Sequence, residues 1–529
     1  MRHSRPVLPA VALLLVWIVL GPADSAMGQR MDQFLPASTS FYVEFNNLDT
    51  YKHTWTEDQV LQEVSAEQFL GPQWWVFSQA VGMKDDELFS KELGSRIAIA
   101  SERRSTDEPR VFFVQISETG RNQIVGRLDL NDEGMFGEYR MFTTPGGRSR
   151  AAFRTPWAVF ADAEHTGYLV RLLEFSSKGQ SLAEDKTYRY WRSQLPDDPL
   201  ALGYVKAEDG TINVLSAELN NRNFHFNYLT PAPAKVERRP RQAFAEHLGP
   251  LPRTTLAAAS FNQLLLSPRT AAVLDRILTP QQIEADFKPL LQPPLCIIAA
   301  AVTPDDPAAP PTRAGVAIAA RLKSEDAIPL LDRIYQRAVL FLDVIGATWD
   351  APALQTTQIQ RDGVTCQVTP LGDLIEARTG RNAFAHVAFV AGRVDDWYIV
   401  ATDEALFWNC VNAHRDRRAS FYATPAYQAM TFDDEAGEFA QGFIAPFPMA
   451  DLLHQWSFVW ATQFPRLSSQ APRISTDSIE LSIAVLSKSI QGVLLSLDAL
   501  TWQARIAEGP DGRKVIKGEA DMKLASKPN

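Results

Sequence analysis

One short phrase occurs twice in this chain, and the distance between its occurrences constrains the fold more than any other feature. Leu35-Pro36-Ala37-Ser38-Thr39 leads to Phe45-Asn46-Asn47-Leu48, and 216 residues later Leu251-Pro252-Arg253-Thr254-Thr255 leads to Phe261-Asn262-Gln263-Leu264. A second phrase, Trp157-Ala158-Val159-Phe160-Ala161-Asp162-Ala163-Glu164, returns as Trp397-Tyr398-Ile399-Val400-Ala401-Thr402-Asp403-Glu404 at an offset of 240, and beyond it Tyr188 matches Tyr427 and Gly203 matches Gly442, both at 239. Chance resemblance does not keep register over such lengths. The expectation is two tandem, diverged copies of one unit, differing by insertions between the phrases.

The apolar periods assign elements to each copy. Leu48, Tyr51 and Trp55 suit one helix face, and a helix from Asp85 or Asp86 that stops at Gly94 gathers Leu88, Phe89 and Leu93. Its counterpart opens with Thr279-Pro280-Gln281-Gln282, a capping-box pattern with Pro in the first turn. Hairpins follow: Ile97 to Ala100 with Val111 to Ile116, Leu295 to Val302 with Val316 to Ala320, and Ala151-Ala152-Phe153 with Trp157 to Phe160, whose counterpart turns through Gly392 and Asp395-Asp396. A helix with Leu169, Val170, Leu172 and Leu173 on its stripe matches one with Leu406, Phe407, Cys410 and Val411. Closing strands are expected at Ile212 to Leu219 and Phe224 to Leu229, and at Ile479 to Val485 and Val493 to Leu497, with a last hairpin turning at Gly509-Pro510-Asp511-Gly512. The fold class expected is α+β, two tandem copies of an antiparallel sheet-plus-helices unit: 29–229, a Pro-rich linker at 230–250, and 251–529 with an inserted helix near 448–463.

Basic residues Arg2, His3 and Arg5 precede an apolar run from Val11 to Leu20 that ends at Gly21-Pro22, the pattern of a signal peptide over 1–28. Small residues at Ala23 and Ser25, or at Ala26 and Gly28, offer two cleavage positions. The run is too short to span a bilayer, and the expected location is periplasmic or extracellular, a retained N-terminal anchor being the alternative. The remaining length exceeds a single core. With 46% hydrophobic and 22% charged residues the chain can bury ordinary cores, and its net charge of −10 with no basic stripe argues against nucleic acid as a partner. Three cysteines, Cys296, Cys366 and Cys410, are too few to staple a chain of this size, and Cys296 and Cys410 lie in apolar settings that suit buried thiols.

These phrases resemble an exported bacterial protein family known only as carrying a domain of unknown function. The likeness rests on the Leu-Pro-x-x-Thr openings at Leu35 and Leu251, on Leu93-Gly94 before Ile97-Ala98-Ile99-Ala100, and on the closing unit from Trp157 to Val205 with Ser181-Leu182-Ala183 and Leu195-Pro196-Asp197-Asp198. It implies an α+β fold and export, and brings no activity, substrate, cofactor or catalytic residue.

No constellation of reactive residues stands out, so no catalytic, cofactor-binding or metal-ligating residue is expected. His386, His414 and His454 lack the short spacing of metal ligands. His414-Arg415-Asp416 echoes a kinase tripeptide without the residues that hold magnesium. The paired acids Asp85-Asp86, Asp197-Asp198, Asp305-Asp306, Asp395-Asp396 and Asp433-Asp434 fall where turns and helix starts are expected, and Gly146-Gly147-Arg148 reads as a turn. Cys410, a candidate nucleophile, matches Val170 of the first copy and reads as a small buried hydrophobe. Trp74-Trp75 and Trp456 with Trp460 read as core aromatics rather than ligand platforms. The expected function is therefore non-catalytic, a binding or structural component of the cell envelope with an envelope protein as partner. The alternatives are a hydrolase-type enzyme whose site is assembled from distant residues in one copy, and a small-ligand carrier.

Overall fold

In the computed structural model the described residues are 31–49, 93–102, 111–144, 146–147, 149–162, 180–207, 210–220, 223–232, 249–262, 279–282, 288–302, 313–379, 386–428, 439–450, 497–509 and 512–524, with single positions at 90, 169, 170, 172, 285, 430, 452 and 494. The chain divides into two compact units, Met1–Lys235 with Ile506–Leu524, and Val236–Arg505 with Ala525–Asn529.

The first unit contains β1 (Phe41–Phe45), β2 (Leu93–Ser101), β3 (Val111–Ile116), β4 (Asn131–Phe136), β5 (Tyr139–Thr143), β6 (Ser149–Arg154), β7 (Trp157–Asp162), β8 (Ala201–Lys206), β9 (Ile212–Asn220) and β10 (Asn223–Pro231). Antiparallel pairing orders them β4-β5-β6-β7-β3-β2-β1-β8-β9-β10. Helices α1 (Glu118–Leu128) and α2 (Lys186–Ser193) belong to this unit. Ser117 and Asp185 cap them by accepting from the amides of Gly120 and Tyr188, at 3.1 and 2.8 Å. One face of the sheet carries the core: Tyr42, Ala98, Ala100, Phe113, Trp157, Leu202 and Tyr204 pack with Leu169, Leu172, Tyr188 and Trp191.

The second unit contains β11 (Thr255–Phe261), β12 (Leu291–Val302), β13 (Arg313–Leu322), β14 (Thr357–Arg361), β15 (Val364–Pro370), β16 (Ala388–Val394), β17 (Trp397–Ala401), β18 (Ala440–Ile444) and β19 (Leu497–Glu508) up to Arg505, in the order β14-β15-β16-β17-β13-β12-β11-β18-β19. Its helices are α3 (Ile328–Ala347), α4 (Gly372–Thr379) and α5 (Glu404–Arg415). Asp403 caps α5 by accepting from the amides of Ala405 and Leu406. Leu406, Phe407, Cys410 and Val411 of α5 pack on one sheet face, and Leu331, Tyr335 and Val339 of α3 pack with Ala391 and Tyr398 in a separate core. The last strand, β20 (Lys514–Leu524), pairs with β10 and is grouped with the first unit.

The expected α+β class is overturned. Among the described residues both units are built on antiparallel sheet, and strand at 48% outweighs helix at 30%, so the described chain is not a balanced sheet-and-helix unit in two copies. The physical reason lies in strands that have no apolar alternation. β4 reads Asn-Asp-Glu-Gly-Met-Phe and β14 reads Thr-Gln-Ile-Gln-Arg, both exposed along most of their length, so a hydrophobic period cannot find them. What recurs between the units is the order of strands. Gly203 of β8 lies opposite Val43, as Gly442 of β18 lies opposite Ala259, and Trp157 and Trp397 begin β7 and β17 opposite Gln115 and Arg321.

Smaller readings are also corrected. Gly94, taken as a helix stop, lies within β2 at φ 84°, and Gly392, taken as part of a turn, lies within β16. Val170 is half-buried beside fully buried Leu169 and Leu172, whereas Cys410 is fully buried. The capping box at Thr279 is present: its hydroxyl accepts from the Gln282 amide at 3.2 Å, and Gln282 Oε1 accepts from the Thr279 amide at 3.0 Å. The 1–28 signal, the helix expected from Leu48 beyond its described start at Leu48 and Asp49, the helix expected from Asp85, most of the linker, the strand Ile479 to Val485 and the bulk of the inserted helix lie outside the described residues.

The matched glycines generate a prediction. A Cβ on Gly442 would collide with the Ala258 carbonyl and the Trp502 indole, whereas one on Gly203 would meet Leu215 at an ordinary 3.8 Å. Gly442→Ala should lower stability by about 1–3 kcal/mol and Gly203→Ala should change it by less than about 0.5 kcal/mol in urea unfolding. Equal effects would contradict this packing.

Candidate functional site

Among the described residues, buried charged side chains lie mostly in the first unit, where strand alternation places Tyr42 and Glu44 on the core face of β1. The register runs Ala98, Glu44, Leu202, Ser216, Asn227, Glu519 across six strands, so Glu44 shares its row with the polar residues Ser216, Asn227 and Glu519 as well as with apolar Ala98 and Leu202. Glu44 is 6% exposed and accepts a short hydrogen bond from the Tyr42 hydroxyl. Nearby, the Tyr188 hydroxyl of α2 donates to Asp32 at 3.0 Å, and Asp32 is 1% exposed.

Two arginines and two asparagines tie the segment after α2 to this cluster. Arg192 donates to the carbonyls of Leu195, Pro196 and Asp197, Arg96 pairs with Asp198 at 3.5 Å, Asn46 donates to the Pro199 carbonyl at 2.9 Å, and Asn47 donates to Asp198 at 3.3 Å. Burial raises the Glu44 carboxyl above the usual glutamate range; the Tyr42 hydrogen bond and the Arg96 charge oppose this, Asp32 adds to it and Arg192 opposes it. Burial, with the neighbouring carboxylates, pushes the Tyr42 and Tyr188 hydroxyls well above the ordinary tyrosine value. Chemically this assembly disfavours the charged form of Glu44 and positions a loop. Its acids are enclosed in the core and its Arg192 guanidinium is engaged with backbone carbonyls.

A second polar group lies further along the same face. His225 on β10 is in register with Glu218 on β9 and with Asp521 on β20. Its Nδ1 lies 3.0 Å from an Asp521 oxygen, and both side chains are about one-third exposed, at 31% and 34%.

Of the residues singled out by sequence, the structure brings His414 and Asp395 together as a pair and gathers no larger group among the described residues. His414, at the end of α5, pairs with Asp395 at 2.9 Å; His386 precedes β16; His454 lies outside the described residues. Among the described residues no group of three or more His, Cys, Asp or Glu is arranged to hold a metal ion. Cys296, Cys366 and Cys410 are buried thiols, and burial pushes Cys296 and Cys410 up to about 12 and Cys366 up to about 11, far from nucleophilic thiolates. Asp197 and Asp198 belong to the clamped segment, Asp395 occupies a turn at φ 50°, and Asp396 pairs with Arg321 at 2.5 Å. Gly146 and Gly147 form a turn at φ 88° and 71°. Asp85-Asp86, Asp305-Asp306, Asp433-Asp434, Trp74-Trp75, Trp456 and Trp460 lie outside the described residues. Sequence reasoning missed Asp32, Glu44, Arg96 and Arg192. The one signal available was a charged residue at a core position of an apolar strand, as in Phe41-Tyr42-Val43-Glu44-Phe45.

Comparison with known proteins adds little. No protein-family profile and no curated protein matches the chain. The solved structure of TP0453, crystal form III, aligns over 40% of this chain and 84% of its own at 10% identity, with a TM-score of 0.26, too low to support an argument about fold or function.

The sealed carboxyl makes stability depend on pH. Because folding raises the Glu44 value, its contribution is complete below the unfolded carboxylate range and is lost as pH rises through the folded value. Glu44→Gln should flatten that decline in thermal melts from acidic to neutral pH. Tyr42→Phe, which removes the hydrogen bond to Glu44, should cost about 1–3 kcal/mol. A variant Glu44→Gln with the parent's pH profile would refute the assignment.

Proposed function

We propose that the protein is exported and acts without catalysis as a binding component of the cell envelope, with the second unit supplying the binding surface. The observation that carries this reading is a difference between two corresponding sheet faces. Ile99, opposite Val43 and Phe112, is 8% exposed, whereas Ile297, opposite Ala259 and Ile318, is 39% exposed, with Ile318 at 43% and Val316 at 42%. Alternation extends this face through Ala299 and Ala301 of β12 and Ala257 and Ala259 of β11, all half-buried and uncharged. An apolar face of this kind suits an apolar segment of another envelope protein. The hydrolase alternative would draw on the approach of Asp32 and Glu44, but a substrate would have to reach groups that the core encloses.

Export is supported by the basic and apolar N-terminal pattern, and no helix among the described residues is long and apolar enough to cross a membrane. On fractionation the mature chain should leave the membrane pellet in a carbonate wash; retention there would favour an anchor. The binding face is tested with a naphthalene-sulfonate dye. Ile297→Lys combined with Ile318→Lys should reduce dye fluorescence by about threefold or more while circular dichroism stays unchanged. Unaltered dye binding by the folded double variant would defeat the proposal for this face.

A further inference from the structure

The chain's last strand is joined to the first unit by nine successive cross-strand pairs, from Asn223 with Lys523 to Pro231 with Val515. Alternation gathers Asn223, His225 and Asn227 of β10 on one face with Glu218 of β9 and with Lys517, Glu519, Asp521 and Lys523 of β20. His225 sits in register between two acids, Glu218 on one side and Asp521 on the other. The Asp521 oxygen 3.0 Å from its Nδ1 also accepts from the Asn223 amide at 3.2 Å, so this carboxylate is oriented from two positions on β10. Lys517 pairs with Glu519 at 3.1 Å, and Lys523 lies at the far end, opposite Asn223.

The consequence of this arrangement is electrostatic. An imidazolium between Glu218 and Asp521 is attracted to both, while a neutral ring leaves three carboxylates on adjoining strands with only the two lysines to offset them. We propose that His225 is a proton-operated clasp that holds β20 on β10 more tightly in mildly acidic than in alkaline conditions. The partly exposed ring can exchange protons with solvent without any opening of the core. The Asp521 hydrogen bond raises the histidine above its ordinary value against the effect of burial, and the charges of Asp521, Glu519 and Glu218 add to the rise. The sign follows: the clasp is complete below the ordinary histidine range and is released as pH rises through the raised folded value.

Hydrogen exchange of the full-length protein, followed by mass spectrometry and corrected for intrinsic exchange rates, tests this directly. Protection of β20 peptides relative to β8 peptides should fall by about fivefold between about pH 6 and about pH 8.5. In His225→Gln the ratio should stay flat across that range, and in Asp521→Asn, which keeps a hydrogen-bond acceptor, its slope should be reduced to half or less. A parent protein without slope, or a folded variant of either kind with the parent's slope, would overturn the clasp.

Discussion

Strands that are apolar on both faces must be covered twice, and this requirement organises both units. Ile97-Ala98-Ile99-Ala100 in β2 and Leu295 to Val302 in β12 offer no polar side to water. In the second unit, α5 seals one face with Leu406, Phe407, Cys410 and Val411, while α3 covers part of the other, its Tyr335 ring stacked on Phe389 at 4.7 Å and its hydroxyl donating to the Phe389 carbonyl at 2.7 Å. Ile297, Val316 and Ile318 keep substantial exposure on that second face. The proposed binding surface is thus the part of a two-sided apolar sheet that its own core does not finish covering.

Long central strands and their hairpins were legible because continuous apolar runs and repeated phrases mark them. β2, β3, β12 and β13 fall where the runs lie, and Thr279 makes the cap that its spacing requires. The outer strands were not legible. β4 and β14 hold their positions by pairing with β5 and β15, and most of their length faces water, so their sequences carry turn and polar residues rather than an apolar period. Helix α3 also escaped notice, although Pro329 in its first turn is a start signal.

Of the candidate polar groups, sequence could indicate only that none forms a short-range motif. Arg96 meets Asp198 across 102 positions of sequence, and Tyr188 meets Asp32 across 156. Such pairs exist because the strand order brings β1, β2 and β8 together, with α2 packed over them. Leu195-Pro196-Asp197-Asp198, prominent as a phrase, derives its constraint from this clamp: Arg192 holds its carbonyls, while Arg96 and Asn47 hold the Asp198 side chain.

The same register position in the two units carries different chemistry, and that difference bears on what each can do. In the first unit the row passes through Ala98, Glu44, Leu202 and Ser216; in the second it passes through Cys296, Ser260, Gln441 and Gln503. Both rows bury polar atoms beside the central strands, but only the first contains an ionisable acid with arginines near enough to oppose its neutralisation. A neutral row can be satisfied by hydrogen bonds alone and is insensitive to pH, whereas Glu44 couples folding of the first unit to proton uptake. Shared strand order therefore supports two different divisions of labour: a proton-linked, sealed core in one unit and an open apolar face in the other.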